Sequence, residues 1–167
     1  MNMASGQKAY KNFYIRQAKN EDLPEIKKLV FGILKEYNLL PDEEGKDRDL
    51  YDLERNYFSN NGFFGVVINE RTGAIVGTFG LAAINQSLCE LRKMYLSKKI
   101  RCGGIGKFIL LTAIDISKQL HYHKIILETV TPLKEAIALY RQSGFIEITP
   151  HTINARVDKA FELDISK

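Results

Sequence analysis

The stretch 88–120 constrains the fold most, because it reads as an apolar strand, a glycine-rich turn and an amphipathic helix in direct succession. The turn has the spacing R-x-x-G-x-G, carried by Arg101, Gly103, Gly104 and Gly106. Glycine allows positive φ and close approach of the backbone to a ligand. A helix that begins near Gly104 or Ile105 adds free amides and the positive end of its dipole. These features predict an anion site, most naturally for phosphate, and a plain tight turn is the structural alternative.

Two familiar phosphate-binding motifs are absent from the sequence. There is no G-x-x-x-x-G-K-[ST], which argues against a Walker-type nucleotide site. There is no G-x-G-x-x-G either, so the dinucleotide fingerprint is missing. The anion site, if formed, belongs to another class of phosphate-binding protein.

The balance of charge favours an anionic ligand near this turn. The chain has 167 residues and a net charge of +4, which suits phosphate-bearing ligands as well as nucleic acid. The densest basic patch flanks the turn and consists of Lys98, Lys99, Arg101 and Lys107. A nucleic-acid module would also need a clustered basic face with aromatic platforms, and the sequence shows neither clearly, which argues against a nucleic-acid partner.

Cysteine and histidine usage indicates a reducing, cytoplasmic setting without a metal site. The two cysteines, Cys89 and Cys102, are too few for a disulfide framework and lack metal-ligand spacing with the three histidines. No signal peptide or apolar membrane-spanning run is present, so no membrane partner is expected. Residues 1–12 show no periodicity and are predicted to form a flexible leader. Residues 13–167 are predicted to form a single domain.

Hydrophobic periodicity predicts a mixed, mostly antiparallel sheet with helices on both faces, an α/β (α+β) fold. Strands are expected at 13–16, 63–68, 74–84, 88–96, 124–129 and 155–164. Helices are expected from an N-cap at Asn20 to Asn38, over 49–58, from the glycine turn to Leu120, and from Pro132 to a stop at Gly144. The strands between 63 and 96 read as an antiparallel meander.

Three pieces of this order resemble the GNAT superfamily of acyl-CoA-dependent N-acetyltransferases. The first is R-x-x-G-x-G at 101–106, placed after a meander strand and at a helix start. The second is C-E-L-R-K-M-Y-L at 89–96, which resembles the fourth strand of that family. The third is A-I-A-L-Y-R-Q-S-G-F at 136–145, which resembles its late helix. The resemblance implies the GNAT acyl-CoA N-acyltransferase fold and acetyl transfer from acetyl-CoA to an amine.

The resemblance also implies where acetyl-CoA binds. The pyrophosphate would lie on the glycine turn, with Arg101 either shaping the loop or standing as a solvated cation. The pantetheine arm would form hydrogen bonds to the backbone of the strand that precedes the turn, in the way that an added strand would. The implied set is Met94, Tyr95, Leu96, Arg101, Cys102, Gly103, Gly104, Ile105, Gly106 and Lys107.

Two residues are implied to act in catalysis. Tyr140 matches the tyrosine that protonates the departing thiolate, and a phenol with a pKa near 10 is protonated at neutral pH; a core tyrosine is the alternative. Glu90 matches a glutamate base, and partial burial would raise its pKa and suit it to proton abstraction through water. A structural ion pair with Arg92 or Lys93 is the alternative for Glu90. The amide of Met94 or Tyr95 is the expected donor to the thioester oxygen.

The acceptor is open among small amines, peptide N termini, lysine side chains and amino acids. The resemblance assigns its binding to 33–58 and 147–158, where an acidic loop could attract a cationic amine. That loop holds Asp42, Glu43, Glu44 and Asp47. The sequence departs from the family at Leu133, where many relatives have a cofactor-contacting asparagine. The length of the acyl group and the oligomeric state are also open, and a homodimer is suggested only by analogy with relatives of that family.

Two other functions fit parts of the sequence. The domain could bind acyl-CoA without transferring it, as a sensor, although the presence of both Tyr140 and Glu90 argues against this. A basic module that binds RNA or the ribosome is the other alternative, and it would show strongly salt-dependent RNA affinity without CoA binding.

Overall fold

The computed structural model describes residues 8–167 and shows one continuous eight-stranded sheet with the strand order β1-β2-β3-β4-β5-β6-β8-β7. The strands are β1 Lys8–Tyr10, β2 Phe13–Gln17, β3 Phe63–Asn69, β4 Ile75–Ala83, β5 Leu88–Leu96, β6 Lys124–Thr129, β7 Ile146–Ile148 and β8 Lys159–Asp164. Neighbouring strands are antiparallel except β5 and β6, which are parallel. The predicted mixed, mostly antiparallel sheet is therefore confirmed.

Within the described part of the chain, four helices cover the sheet, namely α1 Leu23–Glu36, α2 Leu53–Asn56, α3 Ile105–Gln119 and α4 Lys134–Gln142. One core lies under α3 and α4, where Ile109 and Ile137 pack with strand residues such as Phe79. The second core lies on the opposite side and joins Ile26 and Val30 of α1 to the sheet. Apolar residues spaced three to four apart give each helix one buried stripe. Helices on both faces were predicted and are observed.

The second predicted helix, 49–58, is broken into short pieces. A 3-10 turn covers Arg48–Tyr51, α2 covers only Leu53–Asn56, and another 3-10 turn covers Phe58–Asn60. Asp52 explains the break, because its backbone is extended at φ −154° and its side chain caps the amide of Arg55. The apolar periodicity of the segment could not reveal this interruption.

The first helix also starts later than predicted. Asn20 is not its N-cap; a 3-10 turn occupies Asn20–Asp22 and α1 begins at Leu23. The Asp22 carboxylate accepts from the amide of Lys19 at 2.8 Å and from Arg16 at 2.7 Å. Asp22, and not Asn20, is therefore the residue whose side chain closes the turn at the start of this helical segment.

The predicted leader contains a strand of the sheet. Lys8–Tyr10 forms β1 and pairs antiparallel with β2, so the leader prediction is wrong for these residues. Tyr10 also stacks on Phe108 of α3 with 5.4 Å between ring centroids, which anchors the strand. The leader prediction for 1–7 lies outside the described residues. The closing strand begins later than predicted, at Lys159.

The sheet opens at its centre. The parallel pairing of β5 and β6 ends at Glu90 and Ile126, whereas both strands continue beyond that pair. The register with β4 also shifts at Thr78 to Gly80, opposite Lys93, whose φ is +52°. A bulge of this kind bends a strand away from its neighbour. The second half of β5 therefore has a free edge that faces a cleft. Within residues 8–167, no helix has the length and apolarity to cross a membrane.

Candidate active site

A first cleft of about 400 Å³ connects the glycine turn to the middle of the sheet. Its walls come from the end of β5, from the turn before α3 and from one face of α4. The predicted residues Met94, Tyr95, Leu96, Arg101, Cys102, Gly104, Gly106 and Lys107 all line it. The structure thus brings residues from separate elements to one elongated cavity, which we call the donor cleft.

The glycine turn presents free amides to the donor cleft. Gly104 is the N-cap of α3 with φ +80°, a value that favours glycine. The first helical bond runs from the amide of Phe108 to the carbonyl of Gly104 at 3.1 Å. The amides of Ile105, Gly106 and Lys107 therefore have no acceptor within the helix. Such a group of amides at a helix start is suited to bind phosphate.

The glycines of the turn differ in the room they leave for a side chain. A Cβ on Gly104 would lie 2.7 Å from the Tyr10 hydroxyl oxygen, which is closer than a normal contact. A Cβ on Gly106 would be in ordinary contact, 3.4 Å from Cδ2 of Leu139 on the α4 side of the cleft. At Gly103 the nearest atom would be 3.9 Å away, so that position is open. Gly104 is therefore the position where both the positive φ and the close approach of Tyr10 favour glycine.

Two residues from the predicted leader hold the turn in place. The Tyr10 hydroxyl donates to the carbonyl oxygen of Gly103 at 3.2 Å, and the Lys11 ammonium donates to the same oxygen at 3.1 Å. Sequence reasoning missed both residues, because their strand is too short to show periodicity. The only local sign of this strand in the sequence is the alternation of residue type along Lys8, Ala9 and Tyr10.

Arg101 points into the protein and shapes the loop. Its Nε donates to the carbonyl of Leu96 at 2.9 Å, and Nη2 donates to the Glu36 carboxylate at 2.9 Å. Nη1 lies 3.3 Å from the Tyr37 hydroxyl. These bonds tie the end of β5 and the end of α1 to the turn. Of the two alternatives for Arg101, these contacts favour loop shaping.

A second cleft of about 420 Å³ opens on the other side of the β5 bulge. It is bounded by the segment after α1, by the middle of β5, by the end of β6 and by Arg156. It shares four wall residues with the donor cleft, namely Met94, Tyr95, Leu133 and Tyr140. The two cavities meet where the free edge of β5 faces α4. We call this second cavity the acceptor cleft, after the amine acceptor that the resemblance implies.

Tyr140 lies at this junction and is 5% exposed. Its ring packs against Phe145 and Phe161, with centroids 5.8 and 6.1 Å away. Burial raises the pKa of Tyr140 well above its ordinary value, and the neighbouring Tyr95 adds to the increase. A phenol in this environment keeps its proton at neutral pH and can donate it. Tyr140 is therefore both a core residue and a cleft residue.

Glu90 lines the acceptor cleft and is held by its neighbour on the same face of β5. Its carboxylate accepts from Nε of Arg92 at 2.6 Å, and its side chain is 12% exposed. The ion pair with Arg92, left open by the sequence, is thus present. The alternative pair with Lys93 is not formed, because the Lys93 ammonium lies against Asp47 and Asp49 instead.

Lys93 belongs to a buried group of charges beneath the acceptor cleft. Its ammonium lies 3.3 Å from Asp47 and 3.1 Å from Asp49. Arg156 donates to Asp47 at 2.9 Å from the last hairpin, and Tyr57 donates to Asp49. Burial opposes ionisation of Asp47, but its bonds from Arg156 and from the amide of Asp42 keep its pKa below the usual range. Buried charges persist only when paired in this way.

These contacts correct the interpretation of the acidic loop. Asp42 accepts from the amides of Gly45 and Lys46, Glu43 accepts from Tyr51, and Asp47 is fully buried. None of the four acidic side chains, Glu44 included, is on the wall of the acceptor cleft as described for residues 8–167. The loop instead contributes Lys46 and Arg48 to that wall. Asp42, Glu43 and Asp47 therefore hold the loop together, and the cleft wall lacks the acidic groups that were expected to attract a cationic amine.

A splayed strand, a glycine turn at a helix start and a buried tyrosine thus meet around the two clefts, as the resemblance to acyl-CoA-dependent N-acetyltransferases predicted. Residues 30–145 match the acetyltransferase (GNAT) family. The chain is 34% identical over 139 residues to an uncharacterized N-acetyltransferase of Escherichia coli (strain K12), covering 80% of this chain and 82% of the relative. The chain belongs to the GNAT family and is an N-acetyltransferase.

Solved structures agree with this assignment. A GNAT-family acetyltransferase from Staphylococcus aureus Mu50 is 26% identical, with a TM-score of 0.84 over 92% of this chain and 99% of that chain. A phosphinothricin acetyltransferase from Sinorhizobium meliloti, solved with AcCoA, has a TM-score of 0.71 at 22% identity, over 92% of this chain and 89% of that chain. The second likeness shows the shared fold, and its ligand is a property of that protein.

Proposed function

We propose that the chain transfers an acetyl group from acetyl-CoA directly to a primary amine of a small molecule or peptide. One observation carries this proposal: the donor and acceptor clefts are distinct cavities that share a wall at Met94, Tyr95, Leu133 and Tyr140. Two substrates can therefore be held at the same time with their reactive ends in contact. No acyl-enzyme is needed when donor and acceptor meet in one ternary complex.

The residues of the donor cleft bind the acetyl donor. The amides of Ile105, Gly106 and Lys107 bind the pyrophosphate, with the α3 dipole behind them. The free edge of β5 from Met94 to Leu96 bonds to the pantetheine arm as an added strand would. Acetyl-CoA supplies the activated thioester, and the chain supplies its position and the donors around it.

The transfer forms a C–N bond and breaks a C–S bond. The amide of Met94 or Tyr95 donates to the thioester oxygen as negative charge develops there. Tyr140 gives its proton to the departing thiolate, and bulk water restores the phenol. The proton lost by the amine passes through water to Glu90, whose second carboxylate oxygen is not engaged by the short bond from Arg92. Every proton thus has a donor and an acceptor at the junction.

Calorimetric titration with acetyl-CoA tests the donor site, with dephospho-CoA and NADH as controls. We expect micromolar binding of acetyl-CoA, weaker binding of dephospho-CoA and none of NADH. Transfer is then tested with a panel of primary amines while free thiol is followed. Absence of acetyl-CoA binding would overturn the proposed function. Binding without acetylation of any amine would favour the sensor alternative.

A further inference from the structure

The acceptor cleft carries more positive than negative charge. Its basic wall residues are Lys46, Arg48, Arg92, Lys93 and Arg156. Its acidic wall residues are Asp49, Glu90 and Glu128, with Asp47 directly beneath. A cleft built for a polycationic acceptor would be expected to have the opposite excess. The balance of charge in this cavity therefore carries information about its substrate.

Every acidic side chain in or beneath this cleft already has a basic partner. Glu90 is paired with Arg92, and Glu128 is paired with Lys46 at 3.4 Å. Asp49 lies 3.1 Å from Lys93, and Asp47 is shared between Lys93 and Arg156. An incoming ammonium group would therefore have to compete with a basic side chain at each of these carboxylates.

Of the five basic residues on the described wall of the cleft, Arg48 takes no part in these ion pairs. It is exposed at the mouth of the cleft, on the 3-10 turn Arg48–Tyr51. Within residues 8–167, no carboxylate lies at ion-pair distance from its guanidinium. A planar guanidinium offers two parallel N–H groups that match a carboxylate. Its position therefore suits an anionic group on an incoming acceptor.

The surplus of positive charge favours an acceptor that carries an anionic group of its own. An acceptor with a carboxylate would be attracted toward the cleft by Arg48 at its mouth. The amine of the same molecule would then lie deeper in the cleft, toward the junction with the donor cleft.

We propose that the acceptor is an amino acid, a molecule that carries a carboxylate as well as the primary amine, and that Arg48 binds this carboxylate. This inference rests on the proposed acetyl transfer and narrows its substrate class. Arg48 acts as a specificity-determining residue, while Tyr140 and the β5 amides act on the reacting atoms. The last hairpin contributes through Arg156, which holds Asp47 and keeps the loop of Arg48 in place.

The test compares matched acids, amides and diamines as acceptors at saturating acetyl-CoA. The probes are α-amino acids and straight-chain ω-amino acids, their carboxamides, and diamines of the same length. We expect kcat/KM, corrected for the fraction of neutral amine, to favour the best acid over its amide by about tenfold, since a charged hydrogen bond is lost in the amide. Amides or diamines that react as well as the acids would overturn the inference.

Two arginine variants locate the effect. Arg48→Gln is expected to reduce the preference for acid over amide about fivefold, through KM for the acid. Arg71→Gln makes the same change on the exposed β3–β4 hairpin and is expected to leave the preference unaltered. An unchanged preference in Arg48→Gln would overturn the role of Arg48. Acetylation of other amines in the wider panel, but of none of the amino acids, would overturn the inference and leave the proposed transfer standing, so the two failures are distinguishable.

Discussion

The hydroxyl of Tyr10 lies 3.2 Å from the carbonyl oxygen of Gly103, and the same hydroxyl oxygen would be 2.7 Å from a Cβ on Gly104. A residue of the first strand thus contacts a turn more than ninety positions later in the chain. The bond also occupies the carbonyl of Gly103. The proposed phosphate site therefore depends on β1 as well as on the start of α3.

Removal of that hydroxyl is expected to weaken the donor site. Tyr10→Phe keeps the ring on Phe108 but loses the bond to Gly103, and a neutral hydrogen bond contributes about 0.5–1.5 kcal/mol. Affinity for acetyl-CoA should fall about two- to tenfold in a calorimetric titration. Tyr14→Phe, on the next strand, is the matched control. Equal affinities for Tyr10→Phe and the unmodified chain would show that the turn does not need this bond.

A charged side chain at Gly104 is expected to abolish acetyl-CoA binding. Gly104→Glu places bulk and negative charge among the amides, and it also forces a side chain into positive φ. Gly73→Glu separates these effects, because Gly73 has φ +72° and open space on a distant hairpin. We expect Gly73→Glu to lose stability but retain full affinity. A Gly104→Glu protein that folds and binds acetyl-CoA normally would refute the phosphate assignment.

Loss of the Tyr140 hydroxyl is expected to slow turnover without weakening the donor complex. Tyr140→Phe preserves the contacts with Phe145 and Phe161 but cannot protonate the thiolate. General acid catalysis is worth about 10²–10⁴-fold, so kcat should fall in that range while the acetyl-CoA dissociation constant stays constant. Stopped-time assays and titration of the same preparation check both quantities. An unaltered kcat would remove Tyr140 from the acid role.

Cys89 should make the chain sensitive to alkaline conditions. Burial raises the pKa of this thiol from 9.0 to about 11, although a bond to Ser117 opposes the shift. The folded chain therefore holds the proton more tightly than the unfolded chain. The associated stability is present below the unfolded pKa and is lost as pH rises through the folded pKa, at about 1.4 kcal/mol per pH unit between the two.

Urea denaturation at increasing pH measures this contribution. Between about pH 9 and about pH 11, the unmodified chain should lose about 2–3 kcal/mol more than Cys89→Ala. Tyrosines with raised pKa values titrate in both proteins, so their effect cancels in the difference. Parallel curves for the two proteins would contradict the prediction.

The buried pair of Lys93 and Asp49 should be essential for stability. Lys93→Met leaves Asp49 and Asp47 short of one partner in the interior, and loss of one member of a buried pair lowers the free energy of unfolding by about 3–5 kcal/mol. Lys99→Met, an exposed site, should have a negligible effect. Addition of Asp49→Asn to Lys93→Met should recover part of the loss. A Lys93→Met protein of normal stability in thermal unfolding would contradict this account.

Local sequence patterns predicted the central strands well, and the predicted donor-binding residues from 94 to 107 lie close together in space, although their binding role stays a prediction. The bounds of β5 and β6 follow directly from apolar runs between turn residues. The glycine turn is recognisable from the R-x-x-G-x-G spacing of its residues. These features depend on neighbouring residues in the chain, which is the range that periodicity can read. The donor-cleft residues were accessible for the same reason, since most of them lie between Met94 and Lys107.

The acceptor cleft could not be predicted in the same way. Asp47, Lys93 and Arg156 come from three distant segments, and no local pattern shows that one side chain neutralises another across the fold. The sequence shows an acidic loop. The structure shows that Asp42 accepts hydrogen bonds from backbone amides of the loop and that Asp47 belongs to buried ion pairs. A charged Lys93 in the middle of an apolar strand is a visible signal of this buried group, because burial of such a residue demands a partner.

Arg101 illustrates a requirement that charge alone does not meet. Its three donor nitrogens reach the Leu96 carbonyl, the Tyr37 hydroxyl and the Glu36 carboxylate from one rigid plane. A lysine at this position would keep the positive charge but would have one nitrogen on a flexible stem, and it could not reach all three groups together. Position 101 therefore requires the planar guanidinium with its several N–H donors. Exchange of Arg101 for lysine would keep the charge but would disconnect the turn from β5 and from α1.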